Sequence, residues 1–181
     1  MITEDEEALV RRSLKGDQDA FGELVSAYQD VLFNVALRML NDREDARDAT
    51  QNAFLKAWRK LHTFDGHSRF FSWIYRILVN ETLNLIRGRR SQVPLDERMA
   101  SPERSPADQA EATEIGGIVQ EGLMELRTDY REVIVLRHFH QMSHCEIAGL
   151  LNLPEKTVKS RLYTARQLLG RILRRRGVRH L

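Results

Sequence analysis

The chain of 181 residues has a single cysteine, Cys145, which rules out an intrachain disulfide and fits a reducing compartment. It has no apolar run near the roughly 18 residues that a membrane span requires. The opening MITEDEEALVRR is acidic and lacks the apolar core of a signal peptide, so a cytoplasmic location is expected. Prolines are scarce, four in all, and every one lies beyond residue 93, so nothing of that kind interrupts a helix in the first half. No segment sustains the alternation of apolar and polar residues that marks a strand, which argues against a sheet. With 42% apolar and 30% charged residues, the composition suits one ordinary domain or two small helical ones.

Charge is abundant and segregated. Residues 1–50 carry six basic and twelve acidic side chains, a net −6, whereas residues 51–90 carry eight and two, a net +6. Residues 91–115 return to −4 and residues 116–181 to +6, so the overall +2 conceals two basic blocks separated by an acidic one. Such blocks suit a polyanion touched at two places, with an acidic surface left for another partner; plain solvation of helix faces is the alternative that charge alone leaves open. Three of the prolines fall in SQVPLDERMASPERSPADQAEA, which is polar, acidic and without periodicity. Helical patterns cover roughly residues 5–14, 18–40, 43–61 and 69–88 before it, and 112–126, 129–139, 144–151 and 155–174 after it. The expected fold is therefore all-α: two small helical domains, 1–90 and 114–181, joined by a flexible acidic linker over 91–113.

The second domain contains the most specific pattern. In SHCEIAGLLNLPEKTVKSRLYTARQLL, Ser143 and Glu146 form a capping box, and Ile147, Leu150 and Leu151 give the short helix that follows an apolar face. Asn152 tolerates the left-handed corner and Pro154 opens the next helix, in which Val158, Leu162, Ala165, Leu169 and Ile172 repeat with helical spacing. Small Ala148 lets the two helices cross closely, giving a helix-turn-helix. Lys156, Thr157, Lys159, Ser160, Arg161 and Thr164 then occupy the half of the second helix that enters a major groove, where cations and hydroxyls meet phosphates and base edges.

Two helices of the first domain carry unusual polar faces. In FFSWIYRILVNETLNLIRGRR, apolar residues from Phe71 to Ile86 form a stripe, and the opposite side aligns Trp73, Arg76, Asn80, Asn84 and Arg87 before the segment ends in Arg89 and Arg90. An aromatic ring, amides and guanidiniums together suit an unstacked base and the backbone of a single strand. Between Asp42 and Trp58, the polar residues Asp45, Asp48, Gln51 and Asn52 sit three or four apart, while Ala49, Ala53 and Phe54 face inward. Without a partnering His or a Gly-rich loop, these carboxylates read as a docking surface rather than a metal or acid–base site. One further cluster, His138, His140, His144 and Cys145 in RHFHQMSHC, has zinc-ligand types at poor spacing for a shared face.

Across nearly the whole chain these motifs resemble the bacterial sigma factors of the extracytoplasmic-function group. DAFGELVSAYQDVLFNVALRML is similar to the opening helix of that family's second region, DREDARDATQNAFLKAW to its core-binding helix, FSWIYRILVN to its promoter-melting helix and TVKSRLYTAR to its fourth-region recognition helix. The resemblance implies a non-enzymatic subunit, without metal or other cofactor, that binds core RNA polymerase through the β′ clamp helices and β flap and opens promoter DNA. It implies core contacts at Asp45, Asp48, Gln51, Asn52 and Phe54, with Asn52 standing where the family often has Glu. It implies −10 contacts at His67, Ser68, Trp73, Arg76, Asn80, Asn84 and Arg87, and −35 contacts at Lys156, Thr157, Lys159, Ser160, Arg161, Thr164 and Arg166. With no sensory domain in the sequence, an anti-sigma factor is the implied regulator. A helix-turn-helix regulator acting without polymerase, and a zinc-binding sensor built on the His/Cys cluster, are the alternatives.

Overall fold

The computed structural model describes residues 4–66, 69–92 and 114–178. The described residues form eight α-helices and no strand. The chain divides into two compact units, residues 1–37 with 43–92 and residues 38–42 with 93–181.

In the first unit, α1 (Glu4–Leu14), α2 (Gln18–Leu40) and α3 (Arg43–Lys60) are followed by a short 3-10 turn (Leu61–Thr63) and α4 (Phe70–Gln92). The inward row of α3 is Ala46, Ala49, Thr50, Ala53, Phe54 and Ala57, all buried. Alanines at this spacing keep the side-chain layer thin, so α3 and α4 pack closely against each other. Glu44 and Asp45 in the first turn of α3, with Arg59 and Lys60 in its last, complement the helix dipole. On α4 the row Phe70, Ile74, Tyr75, Leu78 and Thr82 is buried. This helix continues to Gln92, so the first two residues of the expected linker are helical; the rest of it, 93–113, lies outside the described residues.

The second unit consists of α5 (Glu114–Glu125), α6 (Thr128–Ile134), α7 (His144–Leu151) and α8 (Glu155–Arg175). The single helix expected over 129–139 is not one α-helix: from Val135 to Phe139 it widens into a π-helical turn. His140 N–H donates to the Val135 carbonyl at 3.3 Å, five residues back rather than four. Val133, Ile134, Val135 and Leu136 are all buried, at most 2% exposed. Four consecutive apolar residues exceed the arc that one face of an α-helix presents to a core, and the wider turn is the local solution. Arg131 is buried too, and its guanidinium donates to the carbonyls of Leu123 and Met124 at 2.9 Å and of Leu126 at 3.2 Å, satisfying the open C-terminal end of α5.

The helix-turn-helix is formed by α7 and α8. Ser143 Oγ accepts from Glu146 N–H at 3.2 Å, and Ser143 N–H donates to the Glu146 carboxylate at 2.8 Å, closing the expected capping box. Asn152 adopts the left-handed conformation, φ 52° and ψ 49°. Leu153 N–H then reaches back to the Ala148 carbonyl at 3.0 Å, and Pro154 stands at the N-cap of α8. Across the unit, Gly122 lets α5 lie directly on α8: a methyl group there would come within 3.2 Å of Leu169 and Leu173.

Candidate polymerase and nucleic-acid interfaces

On α3 the polar row faces out: Asp48, Gln51 and Asn52 are exposed and Asp45 is half-buried. Phe54 behaves differently. Only 7% exposed, it lies in the floor of an apolar groove of about 600 Å³ between α2 and α3, lined also by Phe21, Val25, Leu55 and Trp58. Trp58 packs on Phe21 with ring centroids 4.9 Å apart, and Leu55 is left 55% exposed on the rim. The first unit thus presents an acidic, amide-bearing ridge beside an apolar groove.

On α4, Arg76, Asn80, Asn84 and Arg87 are exposed along one row. Trp73 starts that row but is half-buried, its ring packed against Phe64 at 5.4 Å and Phe70 at 5.8 Å between centroids. Part of its surface therefore belongs to an aromatic cluster with Phe64 and Phe70, and the remainder is open beside the polar row. His67 and Ser68, also expected at this site, lie outside the described residues.

The residues expected on α8 fall into two rows. Lys156, Lys159, Ser160 and Arg166 are exposed, while Thr157, Arg161 and Thr164 are half-buried. Lys159 pairs with Glu155 one turn earlier at 2.7 Å, an exposed pair that steadies the first turn only slightly. Arg161 lies near Glu132 of α6, whose Oε1 is buried with no hydrogen-bond partner. Burial pushes the Glu132 carboxyl up to about 7, against the opposing pull of the Arg161 charge and with a smaller push from Asp129. Arg161 therefore lies within electrostatic reach of a carboxyl that its spacing in the sequence did not reveal.

One exposed residue was missed. Tyr163 is 68% exposed, near the middle of the outward face, flanked by Ser160 and Gln167. The spacing of 156, 160, 163 and 167 carried this signal, since it traces the outward row of the helix.

The His/Cys cluster does not converge. His138 Nε2 accepts a hydrogen bond from Arg166 Nε at 3.1 Å, His140 Nε2 is buried without a hydrogen-bond partner, and Cys145 is exposed on α7. Among the described residues, no three His, Cys, Asp or Glu side chains are grouped to hold a metal ion. No described helix is long and apolar enough to cross a membrane.

Two helical units, the second built on a helix-turn-helix with a cationic outward face, define a DNA-binding class of protein. Comparison with known families specifies the class further. Residues 24–92 match the family model for Sigma-70 region 2, and residues 117–169 match that for Sigma-70 region 4. The chain is 33% identical to the ECF RNA polymerase sigma factor SigW of Bacillus subtilis, over 91% of this chain and 95% of that one. Among solved structures it is similar to CnrH in complex with the cytosolic domain of CnrY, with a TM-score of 0.74 and 30% identity over 94% of this chain and 97% of that one. It is also similar to the sigma factor RpoE in complex with the anti-sigma factor NepR from Bartonella quintana, with a TM-score of 0.71 and 26% identity over 88% and 98% of the two chains.

The chain belongs to the sigma-70 family, in its extracytoplasmic-function (ECF) group. Its function is that of a sigma factor, which binds core RNA polymerase and directs initiation at promoter DNA.

Proposed function

We propose a division of labour among the surfaces described above. Residues 1–90 bind core polymerase and open the −10 element, residues 91–113 link the units, and residues 114–181 dock on the −35 element. The ridge of Asp45, Asp48, Gln51 and Asn52 meets the β′ clamp helices, and Phe54 contributes through the neighbouring groove. The exposed row of Arg76, Asn80, Asn84 and Arg87, with Trp73 as its wall and with His67 and Ser68 of the loop, captures a base flipped from the displaced strand. On α8, Lys156, Lys159, Ser160 and Arg166 meet the major groove, Tyr163 joins them, and Thr157, Arg161 and Thr164 contribute from the edge.

The observation that carries this reading is the pair of exposed polar rows, one on α4 and one on α8, each lying outside an otherwise apolar helix contact. A helix that served only to pack would have no need of two amides between two guanidiniums at steps of three and four residues. The chain itself carries no catalytic residue and acts in the cytoplasm, because the polymerase supplies the chemistry. An anti-sigma protein holds it in reserve; CnrH and RpoE, similar in fold and sequence, were both solved with protein partners.

The test uses holoenzyme reconstituted from the full chain and core polymerase. Run-off transcription from genomic fragments should identify its promoters. Binding to single-stranded non-template oligonucleotides, with each base in turn at every −10 position, then compares wild type with Asn80→Ala. The variant is expected to lose discrimination at one position and to keep its general affinity for the strand. Identical base preferences would remove Asn80 from the capture role.

A further inference from the structure

We propose that His138, on the π-helical turn, is a positioning residue for Arg166: its neutral imidazole holds the guanidinium in the orientation that reads the −35 element. This builds on reading Arg166 as a promoter contact. Arg166 Nε donates to His138 Nε2 at 3.1 Å, a bond that uses the one guanidinium donor pointing back along the side chain. The donors on the two Nη atoms form the fork that matches a guanine edge or a phosphate, and they are not consumed by this bond. An exposed arginine otherwise samples many rotamers, and much of the affinity its fork gains on DNA is lost again in ordering it. A partner on the protein supplies part of that order beforehand.

His138 is suited to this role by its position. The turn from Val135 to Phe139 is anchored by the buried Val135 and Leu136 at its start and by Arg137 at its middle, which donates to the Met142 carbonyl at 2.8 Å. Gln141 Nε2 donates to the His138 carbonyl at 3.2 Å and holds the backbone at that residue. To accept from Arg166, His138 must carry its proton on Nδ1 and leave Nε2 bare. The charged groups around it favour that form. Arg166 approaches from α8 and Arg137 from its own turn; α6, packed on the turn, carries Asp129, Glu132 and Arg131, the last committed to the carbonyls at the end of α5, and α7, also packed on it, carries His144 and Glu146, the latter committed to the Ser143 cap. Partial burial first, then Arg166 and Arg137, hold the imidazole of this exposed residue below its ordinary value, so at neutral pH it accepts rather than donates.

Protonation of His138 removes the acceptor and puts a second cation beside Arg166. Attraction to phosphates then rises for every sequence, while the preferred guanidinium orientation is lost. Loss of His138 function should accordingly appear as lost base preference and not as lost DNA affinity. A merely structural role would weaken binding to all sequences alike.

Holoenzyme containing the full chain would be used to enrich duplexes from a pool randomised across the −35 region, at pH 8 and pH 5.5. Arg166→Ala should flatten the preference at one position by about tenfold or more. His138→Leu should flatten the same position by about threefold to tenfold, the range of one hydrogen bond. His138→Gln, whose amide oxygen replaces Nε2 and does not titrate, should stay within about twofold of wild type at both pH values. Wild type itself should fall toward His138→Leu as the pH is lowered through the titration of His138. Wild-type preference in His138→Leu, with preference lost in Arg166→Ala, would overturn the positioning role and leave Arg166 as an unaided reader. Unchanged preference in Arg166→Ala would instead overturn the reading of Arg166 itself.

Discussion

Replacing Glu132 by Gln should make the second unit more stable at alkaline pH and almost unchanged at acid pH. Glu132 lies on α6, half-buried, with its Oε1 buried and lacking a hydrogen-bond partner and its carboxyl pushed up from 4.5 to about 7, mainly by burial. Because the folded chain holds this proton to higher pH than the unfolded chain, folding takes up a proton between pH 4.5 and about 7. The contribution is full below the unfolded value and is lost as pH rises through the folded one. A carboxyl moved that far corresponds to about 3 kcal/mol, a large share of the stability of a small helical unit. Burying the uncharged amide without a full set of partners costs about 1 kcal/mol, so the expected net gain for Glu132→Gln at pH 8 is about 2 kcal/mol. At pH 5 wild type is itself uncharged at this position, and the gain should disappear. The histidines work against this trend, since burial holds His138 and His140 below their ordinary values and each therefore adds stability as pH rises. Subtracting the variant's pH profile from that of wild type isolates Glu132. Both tryptophans, Trp58 and Trp73, lie in the first unit, so urea unfolding followed by tryptophan fluorescence reports that unit, and circular dichroism adds the second. Arg161→Met provides the complement: removing the opposing charge should destabilise the unit more at pH 8 than at pH 5. Parallel pH profiles for wild type and Glu132→Gln would refute the reasoning, because the carboxyl would then ionise as easily in the folded chain as in the unfolded one.

Four shorter predictions follow from the packing and the surfaces. Gly122→Val should cost the second unit about 1 to 3 kcal/mol, since an added Cβ already meets Leu169, Leu173 and Ile172 within 3.4 Å and the two methyls add to the crowding, and a circular-dichroism melt would register the loss. Ser143→Ala removes the cap of α7 and should cost about 1 kcal/mol, visible as faster amide exchange in the helix-turn-helix while exchange in α3 and α4 is unchanged. Asp48→Lys reverses a charge on the proposed docking ridge and should weaken binding to core polymerase by about tenfold or more in a competition assay, with the fold intact because the side chain is exposed. Tyr163→Ala should weaken holoenzyme binding to −35 duplex by about tenfold and leave core binding unchanged, as measured by fluorescence anisotropy.

The helix-turn-helix was fully legible because each of its devices is local. A cap needs a hydroxyl and a carboxylate three residues apart, and a left-handed corner needs a residue such as Asn152; both are properties of a few neighbouring residues. The polar row on α4 was legible for a similar reason, since Arg76, Asn80, Asn84 and Arg87 share a face by helical geometry alone. Trp73 was only half legible: periodicity put it on that row, but Phe64 and Phe70 cover part of its ring, and Phe64 comes from beyond the helix. The π-helical turn was read as ordinary helix, because four consecutive apolar residues signal burial without stating how the backbone delivers it.

On α8 the division between what sequence and tertiary structure decide is plainest. The sequence by itself determined that a basic helix follows a capped turn, that Val158, Leu162 and Ala165 form its inner face, and that cations and hydroxyls fill the remainder. Which of those cations face outward was decided only by the neighbours. Arg161 is half-buried near Glu132 of α6, whereas Lys156, Lys159 and Arg166 are exposed, and of these Arg166 is held by His138 from the π-helical turn. Helical periodicity is set by bonds within one segment and can be read along the chain. Burial, desolvation and a hydrogen bond across 28 residues depend on which surfaces meet, and only the packed fold supplies that.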